Sequence, residues 1–384
     1  MIVDLHSHYP MHLLAGDAAT LDVLLDPTGR SFGDRIKTLV LRLANRIANY
    51  PGSGAEPAVT LEHLLASNVR VVLSPLYAPF DEMDLGERYG APPRPRYFAD
   101  LIRQIEMVEE SLVGHDAEVA LARNPTELRD ALAENKLVLI HAVEGGFHVG
   151  DTEDLIRARV AELAARGVGY ITVAHLFWRR VATNAPAIPF IPNWLYKVLF
   201  RQPARGLCEL GRALVRAMVE HRILIDMTHM NARGIGETLA LLDDLDPGRT
   251  VPVVATHAAC RLGKADYNLG DAQIAAIAAR RGVIGLIASE HWMADGLHKP
   301  RNISDTIDVV CRHIDHIHRI TGSHDYTAFG SDQDGFIKPT LPGLEFPEGY
   351  RQIEGALRLR YGEPVARRIC SGNALRVLGY WASP

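Results

Sequence analysis

The chain has 384 residues, 47% of them hydrophobic and 23% charged, with a formal net charge of −5. That length can bury one large core or two ordinary ones, and the slight acidic excess argues against nucleic acid or anionic lipid as the main partner. No basic start runs into an apolar stretch with a cleavage site, and no apolar run approaches the roughly 20 residues of a membrane span, so a cytoplasmic protein without a membrane or nucleic-acid partner is expected.

The first element is Ile2-Val3-Asp4-Leu5-His6-Ser7-His8, a short apolar strand ending in two histidines two residues apart. Residues at that spacing leave a strand on the same face, so both imidazoles could grip one cation. An amphipathic stretch from Phe32 to Tyr50 and a Pro/Gly-rich loop from Pro51 to Pro57 read as an insertion after this strand. A helical pattern over Leu61 to Ala66 leads to a second strand, Val69 to Pro75, then a loop over Asp81 to Arg96 and an amphipathic helix over Tyr97 to Leu112. Six further apolar runs follow, each trailed by a helical stretch: Lys136 to Val143, Val168 to Ala174, Arg222 to Thr228, Val251 to Thr256, Gly282 to Ala288 and Tyr326 to Ser331. Continuous apolar strands separated by helices belong to a parallel sheet buried on both faces. Eight such units specify an α/β fold, a TIM (β/α)8 barrel, here one domain over residues 1–384 with an insertion after strand one and a long loop after strand four.

Barrel active sites are built from the C-terminal ends of the strands, and there the polar residues collect. Strand one ends in His6 and His8, strand three in Glu144, strand four in His175, strand five in His229, strand six in His257 and strand eight in Asp332. Chance would scatter such residues over both barrel ends and the outer helices, so this arrangement predicts a metal site. Strand two ends in Ser74-Pro75-Leu76 without a ligand, and strand seven leads to Glu290-His291, candidates for supporting a metal ligand or binding substrate. His313, His316 and His318 read as satisfied or solvated helix histidines, as do His12, His63, His115, His148, His221, His298 and His324, with His148 near enough to Glu144 to watch. Cys208, Cys260, Cys311 and Cys370 show no Cys-x-x-Cys spacing and read as buried free thiols. The loop from Phe177 to Arg201, rich in proline and aromatics, reads equally as a lid or substrate wall and as a subunit contact.

These residues resemble the amidohydrolase superfamily and, more closely, the membrane dipeptidase family, also called renal dipeptidase or peptidase family M19. The resemblance is carried by Asp4-Leu5-His6-Ser7-His8, Val143-Glu144-Gly145-Gly146, Gly167 to His175, Gly206 to Met218, Ile225-Asp226-Met227-Thr228-His229, Pro252 to His257, Gly330-Ser331-Asp332-Gln333-Asp334-Gly335, and Gly372-Asn373 with Leu375-Arg376-Val377. It implies two divalent ions, taken to be zinc. His6 and Glu144 would bind one, and Glu144 would bridge to a second held by His229 and His257. A hydroxide shared by the ions would attack the carbonyl of a small amide, with His175 polarising that carbonyl and Asp332 as general base and acid.

The chain departs from the family pattern twice: His8 stands where the family has Asp, and Tyr267 where it has a carboxylate-binding Arg. His8 restores the His-x-His of the wider superfamily but removes one negative charge from the site. Tyr267 cannot form the bidentate charged pair of a guanidinium with a carboxylate, which leaves Arg261 or Arg179 as the alternative supplier of that charge. The resemblance implies a small-molecule dipeptide or related amide or ester as substrate, and a homodimer. A lactonase or esterase, an N-acyl amino acid amidohydrolase, and a non-catalytic metal-binding protein are the alternatives.

Overall fold

The computed structural model describes residues 1–16, 56–77, 82, 90–188, 191–335 and 339–381. The stretch expected to be amphipathic over Phe32 to Tyr50, residues 51–55 of the Pro/Gly-rich loop, and residues 81 and 83–89 of the loop expected over Asp81 to Arg96 lie outside the described residues. Among the described residues there are nine parallel strands: β1 (Ile2–Asp4), β2 (Val69–Leu76), β3 (Val119–Leu121), β4 (Leu137–Glu144), β5 (Tyr170–Thr172), β6 (Leu224–Asp226), β7 (Val253–Ala258), β8 (Val283–Leu286) and β9 (Thr327–Phe329). All eight expected runs hold one of these strands. The ninth, β3, pairs only with the start of β4 through Val119 to Leu137 and Leu121 to Leu139.

The other eight close on themselves. β1 pairs with both β2 and β9, β2 also pairs with β4, and the remaining strands follow in order around the ring. This is the closed eight-stranded parallel barrel with surrounding helices that the alternation predicts.

Alternation along each strand divides the apolar residues between two buried cores. Val71 and Leu73 of β2, Val138, Ile140 and Ala142 of β4, Leu224 of β6 and Val254 of β7 share the smaller core. Their neighbours Val72, Leu139, Val143, Ile225, Val253 and Ala255 belong to the larger one, with the helices. Successive strand residues point to opposite faces, so one set fills the barrel and the other meets the helical ring.

The chain end covers the barrel floor. The helix Asn373–Leu378 adds Ala374, Val377 and Leu378 to the smaller core, and the fully buried Trp381 donates its indole N–H to the carbonyl of Val168, just before β5. Asn373 donates to the carbonyls of His324 and Thr327 at the start of β9. Among the described residues, no helix is long and apolar enough to cross a membrane.

Candidate metal centre

The C-terminal ends of the strands carry the opposite chemistry. Glu144 is the last residue of β4 and points its carboxylate into the barrel mouth, where Oε1 lies 3.3 Å from Nε2 of His175, 3.4 Å from Nε2 of His6 and of His257, and 3.5 Å from Nε2 of His229. Its Oε2 is 3.5 Å from Nε2 of His8. Asp332 closes the ring, with Oδ1 3.0 Å from Nε2 of His8 and 3.6 Å from Nε2 of His6. All seven residues singled out at the strand ends therefore meet in one buried cluster.

Within it, Nε2 of His6 and His8 lie 3.2 Å apart and Nε2 of His229 and His257 2.9 Å apart. Two imidazole lone pairs facing each other at that range repel unless a proton or a cation lies between them. Ligands of one tetrahedral ion, at about 2.0–2.1 Å from it, stand roughly 3 Å from one another, so this donor set fits divalent ions. Three overlapping groups have ligand atoms within 4.8 Å of one another: His6, Glu144 and His257; His6, His8 and Asp332; Glu144, His175 and His229.

Electrostatics agree with that arrangement. Burial opposes ionisation of Glu144, but the imidazoles of His175 and His6 outweigh it and hold the carboxyl well below the usual carboxylate range. Burial, with the neighbouring imidazoles of His6 and His229, pushes His257 well below its ordinary value, and burial and His175 push His229 down, so both favour the neutral form that ligates metal.

A polar layer orients the cluster from below. Nδ1 of His6 is 2.6 Å from the hydroxyl of Tyr170, and Nδ1 of His257 is 3.0 Å from Oγ1 of Thr256. Thr256 and Thr172 donate their hydroxyls to Asp226 Oδ2, while its Oδ1 accepts from the hydroxyl and amide of Thr228 and the amide of Thr256. Five donors on one fully buried carboxylate tie β5, β6 and β7 together directly under the ligands. Two members of the cluster sit on left-handed backbone, His229 at φ 67° and Asp332 at φ 56°. Such strain in non-glycine residues collects at functional sites.

Glu82 and Tyr170 are the participants that the sequence did not single out. Glu82 is fully buried in its side chain, and its Oε2 lies 2.6 Å from Nδ1 of His175. Tyr170 lies inside an apolar run and carries no sequence signal beyond that; Glu82 is one of several acidic residues in Asp81-Glu82-Met83-Asp84-Leu85-Gly86-Glu87, 93 residues from its partner.

The residues expected to meet substrate are placed as follows. Tyr267 is buried, donates its hydroxyl to the carbonyl of His257 at 2.6 Å, and has its ring 5.1 Å from that of His229 and 4.6 Å from that of Trp292. Arg261 donates to the carbonyls of Asn268 and Asp266 in its own loop. Arg179 is buried and donates to the carbonyl of Glu82. Glu290 pairs with Lys299, whereas His291 is exposed. His148 bonds to the carbonyl of Gly145, and His313 spans the amide of Cys260 and the carbonyl of Met293, both satisfied within the fold. The long loop after β5 is not all loop: it includes the helix Asn193–Leu199, which exposes Trp194, Val198 and Leu199 and buries Tyr196.

Comparison with known proteins decides the family. The model of the membrane dipeptidase family, peptidase family M19, matches residues 34–382. The chain belongs to that family. It is accordingly a metal-dependent hydrolase. Among relatives of this M19 protein, the protein of the pqqA 5' region of Klebsiella pneumoniae is 29% identical over 287 residues, 73% of this chain and 95% of that one. Dipeptidase tcpJ of Claviceps purpurea is 22% identical over 285 residues, 73% of this chain and 59% of that longer protein. The solved metallo peptidase from Rhodobacter sphaeroides, liganded with a phosphinate mimic of the dipeptide L-Ala-D-Ala, has the same fold at a TM-score of 0.72 and 20% identity, covering 99% of each chain.

Proposed function

We propose that this M19 family member is a binuclear zinc hydrolase of small amide bonds, with dipeptides as the leading substrates. One observation carries the reading: a single buried oxygen, Oε1 of Glu144, lies within 3.3–3.5 Å of four imidazole Nε2 atoms contributed by four different strand ends. A carboxylate in that position suits sharing between two ions, one held with His6 and His8 and the other with His229 and His257. Ions bound there would bring the pKa of water down to roughly 7 and polarise a substrate carbonyl.

The chain's own residues do the rest. Asp332, whose side chain is 11% exposed against 2% for Glu144, is the more open of the two carboxylates and can take a proton from the attacking water and hand it to the leaving nitrogen. His175 turns its Nε2 into the same space, where it meets the carbonyl oxygen of the scissile bond; a donor of that kind is worth about 3–4 kcal/mol. Burial opposes protonation of His175, but Glu144 and Glu82 raise it to about 10, so the ring carries the N–H this task needs. The relative named Dipeptidase tcpJ, and the phosphinate dipeptide mimic bound by the metallo peptidase of the same fold, point to the same substrate class.

A second reading rests on a specific observation. The Tyr267 hydroxyl and the Arg261 guanidinium are both committed to backbone carbonyls. A substrate without a free carboxylate, such as a lactone, an ester or an N-acyl compound presenting its apolar end, would meet the Tyr267–Trp292 wall instead. A homodimer remains part of the proposal, tested by sedimentation equilibrium.

Metal analysis followed by hydrolysis assays across L,L- and L,D-dipeptides, N-acyl amino acids and lactones tests the reading, and turnover of lactones without turnover of the carboxylate-bearing dipeptides and N-acyl amino acids would favour the second class. Two metals per chain and dipeptide turnover are expected. Asp332→Asn should keep both metals and lose about 10²- to 10⁴-fold in kcat; a wild-type rate in that variant would show the mechanism to be wrong.

A further inference from the structure

We infer that Glu82 is a positioning residue of this site: its carboxylate locks the His175 ring with Nδ1 turned outward and Nε2 turned onto Glu144 and the reacting carbonyl. The inference rests on the hydrolase reading above for its kinetic consequences, but its geometry stands independently.

The contacts form a chain across the barrel mouth. Glu82 Oε2 lies 2.6 Å from His175 Nδ1, and His175 Nε2, at the far end of the ring, lies 3.3 Å from Glu144 Oε1. The side chain of Glu82 is 0% exposed and that of His175 3%. Glu82 is itself immobilised. The Tyr77 hydroxyl donates to Oε2 at 2.7 Å, the Phe177 amide donates to Oε1 at 2.9 Å, and Arg179 donates to the Glu82 carbonyl at 2.6 Å. The Tyr77 ring also stands edge-on to His175, with centroids 4.6 Å apart. Glu82 thus joins the segment after β2 to the segment after β5, and the imidazole is clamped between two carboxylates on opposite sides.

Two features separate this from a mere loop staple. An imidazole without a partner on Nδ1 can turn over about its χ2 axis at little cost, exchanging its nitrogens for carbons; a short charge-assisted bond removes that freedom. And a neutral amide could equally satisfy the Phe177 amide and the Tyr77 hydroxyl, so those contacts do not call for a buried charge, whereas the imidazole does. Carboxylates that orient a histidine in this way contribute through the ring they hold.

The test is Glu82→Gln, which keeps the volume and an acceptor for the Phe177 amide, alone and combined with His175→Asn. Expected results are unchanged metal content, a kcat lower by about ten- to hundredfold with KM within about twofold, and no further loss when Glu82→Gln is added to His175→Asn. Unchanged kcat, lost metal, or losses that multiply in the double variant would each overturn the proposal. A readout free of turnover is the proton spectrum of the wild-type protein. The His175 Nδ1–H should appear as a far-downfield resonance that is missing in His175→Asn and moves upfield in Glu82→Gln. Absence of that resonance from the wild type overturns the pairing even if Glu82→Gln does not fold. If the wild type cleaves nothing in the substrate screen, the hydrolase reading fails while the resonance still decides the pairing.

Discussion

The two ends of the barrel are built from the same strands and share almost no chemistry. At the N-terminal end, Val377, Leu378 and Trp381 plug the floor, and the polar contacts there, such as the indole bond to Val168 and the amide of Asn373, serve only to close strand starts. At the C-terminal end a buried cluster joins the imidazoles of His6, His8, His175, His229 and His257 to the carboxylates of Glu82, Glu144 and Asp332, with an Asp226-centred hydrogen-bond layer beneath them. A parallel barrel makes this division possible because every strand starts at one end and finishes at the other, so stability and chemistry can be altered separately.

The comparison can be broken from either end. The largest expected effect is on the floor: Trp381→Ala should destabilise by about 3–5 kcal/mol in denaturant unfolding, from lost burial and a residual cavity. Metal content and kcat per folded chain should not change, and a matching loss of either would show that the two ends are coupled. Next is Tyr170→Phe, which deletes the hydroxyl 2.6 Å from Nδ1 of His6. Titration with zinc should show about ten- to hundredfold weaker binding while the melting temperature stays near that of the wild type.

The smallest effect sharpens the picture of the floor, where Asp246 caps the turn into β7. Its Oδ1 accepts from the Thr250 amide and hydroxyl, its Oδ2 from the Val251 amide, and Arg280 lies 3.2 Å from Oδ2. Burial resists its ionisation, but the amides of Val251 and Thr250 outweigh it and lower its pKa. A carboxyl whose folded pKa lies below its unfolded value, about 4, contributes stability above that pH and loses it as the pH falls through the folded pKa. Asp246→Asn should therefore cost about 1 kcal/mol at neutral pH, the value being kept small because the group borders solvent, and the gap from the wild type should close in acid. A gap that widens in acid would contradict the sign.

Most of the barrel was legible because its strands are continuous apolar runs, and the ends were legible because a histidine or carboxylate interrupts six of the eight runs where the strand stops. The short β3 escaped for the same reason in reverse: Val119–Leu121 is three residues long and only half buried, with no run to interrupt. His6, His8, Glu144, His175, His229, His257 and Asp332 could be brought together from sequence because barrel topology alone makes strand ends neighbours. Glu82 and Tyr170 could not. One stands in a stretch whose sequence carries no periodicity, and the other uses a phenol that reads as apolar filling until its hydroxyl is seen beside His6.

The left-handed backbone at His229 and Asp332 has a consequence for how this chain can be altered. A side chain with a Cβ costs roughly 1–2 kcal/mol in that conformation, while glycine costs little and asparagine less than most. Selection for heat resistance alone would thus favour glycine or asparagine at the two positions and deliver a sturdier, inert barrel. A variant library screened by thermal shift and then by turnover should show the two rankings running in opposite directions at residues 229 and 332 and independently of each other almost everywhere on the floor.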